Sequence, residues 1–361
     1  MSFRNTCTAL LTCCALAGAM GCGDDSNGDN NNVNDNVNVN DNVNQNNNVN
    51  NNNNNNNVTI DPFTGTLDEL DGYYEITGAT LRPSAIEIPL TTENTSVSLP
   101  EFGGTMARVM GYADLAASGA TDGQVEVRWG VVADANNYGD VGYFVEAFDF
   151  TATWDQADGK LVLTDGNDVG VYFVEFDAEV LTLHYDDTDW RSNLDAVRMA
   201  VRWVFTRTTP TAGPFDGVWN TSSKTWNSGE VDEYSRHSVC SPVDPDDGAD
   251  GLSGQWTGTM TMGPAGWIIF DELYETFDST DCSGMYLDHF SGSGYGFFEL
   301  DPGASTVDHY IYYPDYGINE FGYTFGYSVD STAMTLTFMD YRDMVPNPYN
   351  DADFYIYTAA P

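Results

Sequence analysis

Lysine is nearly absent from this chain: only Lys160 and Lys224 occur. Lysine and arginine together number 12 against 55 aspartates and glutamates, a formal net charge of −43. A surface of that sign repels phosphate backbones and anionic headgroups, so nucleic acid is excluded as a partner. Two general settings fit such acidity, a salty medium or weak collective binding of divalent cations. Histidine is scarce as well, limited to His184, His237, His289 and His309. None sits in a recognisable nucleophile motif and no Gly-x-Ser-x-Gly elbow is present, so the chain reads as non-enzymatic. No apolar run reaches the roughly 20 residues of a membrane-spanning helix. No long stretch carries a helical period, which excludes a helical bundle.

The N-terminus carries a specific signal. Arg4 supplies a cationic start, a short apolar run extends from Ala9 to Met20, and the polar residues Gly23, Asp24 and Asp25 follow. That order predicts a secretory signal peptide over residues 1–21. Two processing sites compete. Ala19-Met20-Gly21-Cys22 resembles the lipobox of bacterial lipoproteins, which implies a lipid on Cys22 and a membrane anchor. Ala17-Gly18-Ala19 instead fits ordinary signal-peptidase cleavage, which releases a soluble chain. Cysteine parity favours lipidation. Cys7, Cys13 and Cys14 leave with the signal peptide, and a lipidated Cys22 leaves Cys240 and Cys282 to pair in an oxidising compartment. Under the lipoprotein resemblance, Gly23 rather than Asp after the cysteine implies delivery to the outer membrane, with the body displayed at the cell surface. Residues 22–60 are mostly Asn with spaced Val and Asp, a tether with too little apolar surface to fold. A flexible chain of that length spans on the order of 30 Å root-mean-square.

Beyond the tether the sequence repeats itself. Leu70-Asp71-Gly72-Tyr73-Tyr74 matches Phe215-Asp216-Gly217-Val218-Trp219, residues 177–185 match 330–338 without a gap, and Trp203-Val204-Phe205-Thr206 matches Tyr355-Ile356-Tyr357-Thr358. Three landmarks in one order, about 150 residues apart, predict a tandem duplication with units over 61–210 and 211–361. Each unit reads as strands. Val125, Val127, Trp129 and Val131 alternate with Glu126, Arg128 and Gly130, and Met334, Leu336 and Phe338 alternate with Thr335 and Thr337. Asp122-Gly123, Asp158-Gly159 and Asp165-Gly166 supply turns between them. The expected fold class is all-β, two tandem antiparallel β units, barrel or sandwich, with one short helix near Trp190 to Asp195.

These landmarks resemble those of bacterial lipocalin-like domains, in which a Gly-x-Trp element opens a meander of hairpins that ends in an aromatic-Thr-Arg strand. Gly217-Val218-Trp219 is that opening element, and Gly72-Tyr73-Tyr74 is its counterpart in the first unit. The resemblance implies barrels, with Trp219 and Tyr74 closing the floors and Arg207 packing against the aromatic of its own unit. The second unit has Tyr357-Thr358 at its end and no Arg there.

Other constellations concern binding. Cys240 and Cys282 predict a disulfide, with zinc held by these cysteines plus His237 and His289 as the alternative. Asp244, Asp246 and Asp250 crowd a Gly-containing loop of the kind that holds calcium, but no EF-hand register fits: counted from Asp246, Thr257 stands where a bidentate Glu belongs. Trp256, Trp267, Tyr310 and Tyr312 offer aromatic faces for a small apolar or glycan ligand, or else serve as core. The functional expectation is a surface-displayed lipoprotein that binds a small ligand. The alternative is an envelope-assembly protein with filled barrels.

Overall fold

The computed structural model describes residues 60–82, 87–97, 105–134, 141–194, 200–226, 234–242, 252–314, 318–341 and 354–359. Cys22 and the acidic loop with Asp244, Asp246 and Asp250 lie outside the described residues. Two closed eight-stranded antiparallel barrels follow one another in the chain.

The first barrel contains β1 (Gly72–Leu81), β2 (Ile88–Thr91), β3 (Thr95–Val97), β4 (Thr105–Ala117), β5 (Asp122–Asp134), β6 (Val141–Asp155), β7 (Lys160–Asp165), β8 (Asp168–Asp177), β9 (Val180–Tyr185) and β10 (Ala200–Arg207). Each strand from β4 to β10 pairs with its sequence neighbour, and β1 closes the cylinder by pairing with both β10 and β4. The short strands β2 and β3 extend the ladders of β1 and β4. The second barrel repeats the scheme with β11 (Gly217–Trp226), β12 (Tyr234–His237), β13 (Ser241–Pro242), β14 (Ser253–Met262), β15 (Trp267–Phe277), β16 (Tyr286–Asp301), β17 (Thr306–Tyr313), β18 (Ile318–Val329), β19 (Ala333–Tyr341) and β20 (Phe354–Ala359). Here β11 closes on β20 and β14. Closure removes the unpaired edges that a sandwich would leave open.

Fine details are duplicated as well. The opening strands β1 and β11 each carry a bulge at the same rung, between Ile76 and Gly78 and between Thr221 and Ser223. Gly111 and Gly258 occupy one position in β4 and β14, both at positive φ, and a Cβ at either would run into the backbone of the next strand. Only glycine allows that approach. Tyr74 donates its hydroxyl to the Leu70 carbonyl at 2.7 Å, and Trp219 donates Nε1 to the Phe215 carbonyl at 2.8 Å. One aromatic thus pins each barrel floor to the residue four places upstream.

The inward rows follow the alternation read from the sequence. In the first barrel they include Val125, Val127, Trp129, Val131, Phe148, Phe150, Trp154, Leu161, Leu163, Trp203 and Phe205, all buried in one continuous core. Leu67 and Leu70, on a single 3-10 turn before β1, seal the floor. Among the described residues, the second barrel has a core around Phe215, Trp219, Met260, Met262, Ile268, Phe298, Val307, Met334 and Leu336.

The barrels meet through outward aromatics. Tyr73, Tyr112, Val132 and Val145 pack with Trp267, Phe297, Tyr310 and Tyr312 in one buried cluster. Arg128 lies 5.6 Å from the Trp267 ring and bonds the Phe148 carbonyl and the Asp149 carboxylate, each at 2.6 Å. Arg108 pairs with Glu299 and reaches the Tyr310 hydroxyl at 3.3 Å. No helix forms at Trp190. Asp186 to Leu194 run through turns in which side chains take the backbone bonds: Asp186 accepts from Thr188, Asp189 from Arg191, and Asn193 from Val169. Short polar side chains that bond nearby backbone favour turns over helix.

Candidate functional site: the interior of the second barrel

Aligning the two ladders at Gly111 and Gly258 shows where the copies diverge. Lys224 stands at the place of Ala79, Glu272 at that of Trp129, Trp256 at that of Val109, and His309 at that of Leu163. At three of these places, those of Ala79, Trp129 and Leu163, an apolar side chain of the first barrel is ionisable in the second. Gly292, Gly294 and Gly296 line the inward row of β16 where the first barrel has Glu146, Phe148 and Phe150.

Lys224 points inward because the β11 bulge shifts the alternation after Thr221. Its Nζ lies 3.0 and 2.8 Å from the two carboxylate oxygens of Glu272. Glu272 also accepts a hydrogen bond from Trp256 Nε1 at 3.1 Å. The ammonium sits 4.9 Å from the Trp256 ring and 5.1 Å from that of Tyr355, within cation–π range. Tyr357 meets Trp256 edge-on at 6.4 Å, and burial followed by the Glu272 charge pushes its hydroxyl well above the usual phenol range.

His309 completes the lining. It is 6 % exposed, and its Nε2 is buried with no hydrogen-bond partner. Burial lowers its pKa to about 4, so the ring is neutral at physiological pH. Its ring touches Phe325 at 5.0 Å, Phe325 touches Tyr355 at 5.6 Å, and Tyr355 touches Lys224, so the polar groups share one continuous inner surface. The first barrel has Tyr172 and Trp203 in place of Phe325 and Tyr355, stacked 5.7 Å apart.

Beyond Ile268 the inward row of β15 is more exposed than its counterpart in β5. Ile268 is buried, whereas Phe270, Glu272 and Tyr274 after it on the same inward face are half-buried. The counterparts of these three, Val127, Trp129 and Val131, are 0 %, 1 % and 1 % exposed. The Cys240–Cys282 disulfide ties the segment after β12 to the β15–β16 turn, with Cα atoms 5.9 Å apart. Both sulfurs are thereby used, which removes the thiolates that the zinc alternative required.

The four aromatics expected to form one ligand face are divided. Trp256 lines the interior, but Trp267, Tyr310 and Tyr312 alternate with inward Ile268, His309 and Ile311 and so face out, where the first barrel covers them. Their area is used in joining the barrels. Tyr74 and Arg207 do come together: Arg207 Nε and Nη2 bond the Tyr74 hydroxyl at 3.1 and 2.7 Å. Trp219 sits on the floor of its own barrel, opposite Ala359 on the closing rung. Lys224 and Glu272 had no sequence signal as a pair, and His309 was only one of four scattered histidines. Comparison with protein-family models, curated proteins and solved structures finds no match.

Proposed function

We propose that the chain is a lipoprotein anchored through Cys22, displayed at the outer membrane, whose second barrel binds a small ligand while the first acts as its filled structural partner. The observation that carries the reading is the set of ionisable side chains, Lys224, Glu272 and His309, that the second barrel turns inward where the first has Ala79, Trp129 and Leu163. A buried polar atom without a partner, as His309 Nε2 is among the described residues, costs about 1–3 kcal/mol, and a ligand hydroxyl placed against it recovers that cost. Trp256 and Tyr355 supply ring faces for an apolar or sugar body. Lys224 and Glu272 neutralise each other, which favours a neutral ligand and a binding role over a catalytic one. The closed meander and the Arg207–Tyr74 contact support a lipocalin-like reading. The packed interior of the first barrel favours a scaffold role there, with no small ligand.

The test is small-molecule release. Protein extracted from its membrane is denatured and the released molecules are compared by mass spectrometry with those from Lys224→Ala/Glu272→Trp, which copies the first barrel at both positions. A hydroxylated compound released stoichiometrically from the parent and absent from the variant is expected. No compound from the parent, together with no hit in a glycan and lipid screen, contradicts the reading.

A further inference from the structure

The floors of the two barrels differ at several side chains: Tyr74, Phe176, Glu179 and Arg207 of the first stand where the second has Trp219, Val329, Thr332 and Ala359. Arg207 faces Tyr74 on the last rung of the first barrel, and Ala359 faces Trp219 on the same rung of the second. Backbone bonds fix the correspondence: Arg207 N–H donates to the Glu179 carbonyl at 2.7 Å, and Ala359 N–H donates to that of Thr332 at 3.0 Å. In the first barrel the guanidinium is fully engaged. Besides the Tyr74 hydroxyl it reaches the Glu69 carbonyl at 2.6 Å and the Glu179 carboxylate at 3.1 Å. Its Cζ lies 5.2 Å from the Tyr74 ring and 4.8 Å from that of Phe176.

In the second barrel the same place is an open surface depression of about 470 Å³ lined by Pro214, Asp216, Gly217, Trp219, Val329 and Asp330, with Ala359 at its wall. That volume falls within the roughly 300–1,000 Å³ of small-ligand sites. The Cβ position of Gly72 lies 3.3 Å from Arg207 Nε, whereas nothing comes within 4 Å of that of Gly217. The carboxylates suit a cation. Asp330 uses only Oδ1 in its turn, accepting from Thr332 N–H and hydroxyl at 2.7 Å each and from Ala333 N–H at 2.9 Å. Those bonds, the Thr332 hydroxyl foremost, hold its carboxyl below the usual range and therefore ionised. Asp216 accepts from Gly213 N–H at 2.9 Å through Oδ2.

We propose that the floor of the second barrel is a guanidinium-binding pocket that takes an arginine side chain, free or within a peptide, in the place Arg207 fills in the first barrel. The planar cation stacks on Trp219 and pairs with Asp330 and Asp216. The strongly negative chain concentrates such ligands near the pocket. The site shares no residue with the interior lining, so it stands or falls separately from the function proposed above.

Calorimetric titration of the full-length protein tests it with L-arginine, methylguanidine, an acetylated Gly-Arg-Gly amide and L-lysine. Saturable one-to-one binding of at least one guanidinium compound, at least tenfold tighter than lysine, is expected. A preference for free arginine marks a small-molecule site, and a preference for the peptide marks a protein partner. Ala359→Arg fills the pocket from within and should abolish binding, and Asp330→Asn should weaken it about tenfold if the first variant fails to fold. No binding of any guanidinium compound, equal binding of lysine, or affinity unchanged in the folded variants overturns the proposal.

Discussion

Breaking the ion pair inside the second barrel should cost far more than replacing it whole. Lys224 and Glu272 are 11 % and 15 % exposed at the side chain, with Nζ 2.8 Å from the nearer oxygen. At an effective dielectric near 20 the attraction is about 5–6 kcal/mol, offset by several kcal/mol of desolvation for each ion. The pair is therefore close to neutral for stability. Lys224→Met leaves Glu272 with only Trp256 Nε1 as a bond donor among those described above, and the expected loss is about 3–5 kcal/mol. Glu272→Leu strands the ammonium between two rings and should cost a similar amount. The double variant Lys224→Met/Glu272→Leu substitutes apolar groups of like volume and should lie within about 1 kcal/mol of the parent or above it. Urea denaturation followed by circular dichroism and by fluorescence, with coincident transitions, gives the three values. Additive losses in the double variant would refute the buried-pair reasoning.

Other outcomes follow from single groups. Alkylation should label Cys240 and Cys282 only after reduction, and reduction should cost about 4 kcal/mol for a loop of 42 residues. His309, with a folded pKa near 4 against about 6.5 unfolded, binds fewer protons when folded. Its contribution is full above pH 6.5 and falls as pH drops toward 4, so His309→Leu should be less acid-sensitive than the parent over that window. Glu146 has the opposite sign: burial raises its carboxyl to about 7, so its contribution is present below the unfolded value and declines as pH rises through 7. Glu146→Gln should flatten that decline in denaturation measured from pH 4.5 to 7.5. Intact mass of membrane-extracted protein should show a diacylated or triacylated Cys22, and a soluble form starting at Met20 would contradict the anchor.

Much of the fold was legible because alternation and turns are local signals. Val125 to Val131 and Met334 to Phe338 declare their faces by period two, and the three repeated landmarks fall at matching rungs of the two barrels. Trp190 misled because an aromatic between polar residues fits one helical turn as well as it fits a side-chain-bonded loop. The interior site was hidden for a different reason. The β11 bulge breaks the alternation between Thr221 and Lys224, so an inward lysine reads as a surface one. Outward Trp267, Tyr310 and Tyr312 look like a binding face until the neighbouring barrel is seen to cover them. Which faces pack on each other is a long-range property that no window of sequence contains.

The central claim is that duplicated barrels diverged into one filled interior and one receptive interior. A crystal structure of the protein purified without refolding from the cells that make it tests it most directly. The account predicts ligand density against Trp256, Tyr355 and His309 Nε2 in the second barrel and none within the first. A second barrel packed as tightly as the first, with His309 bonded to a protein group and no density on the inner wall, would contradict it.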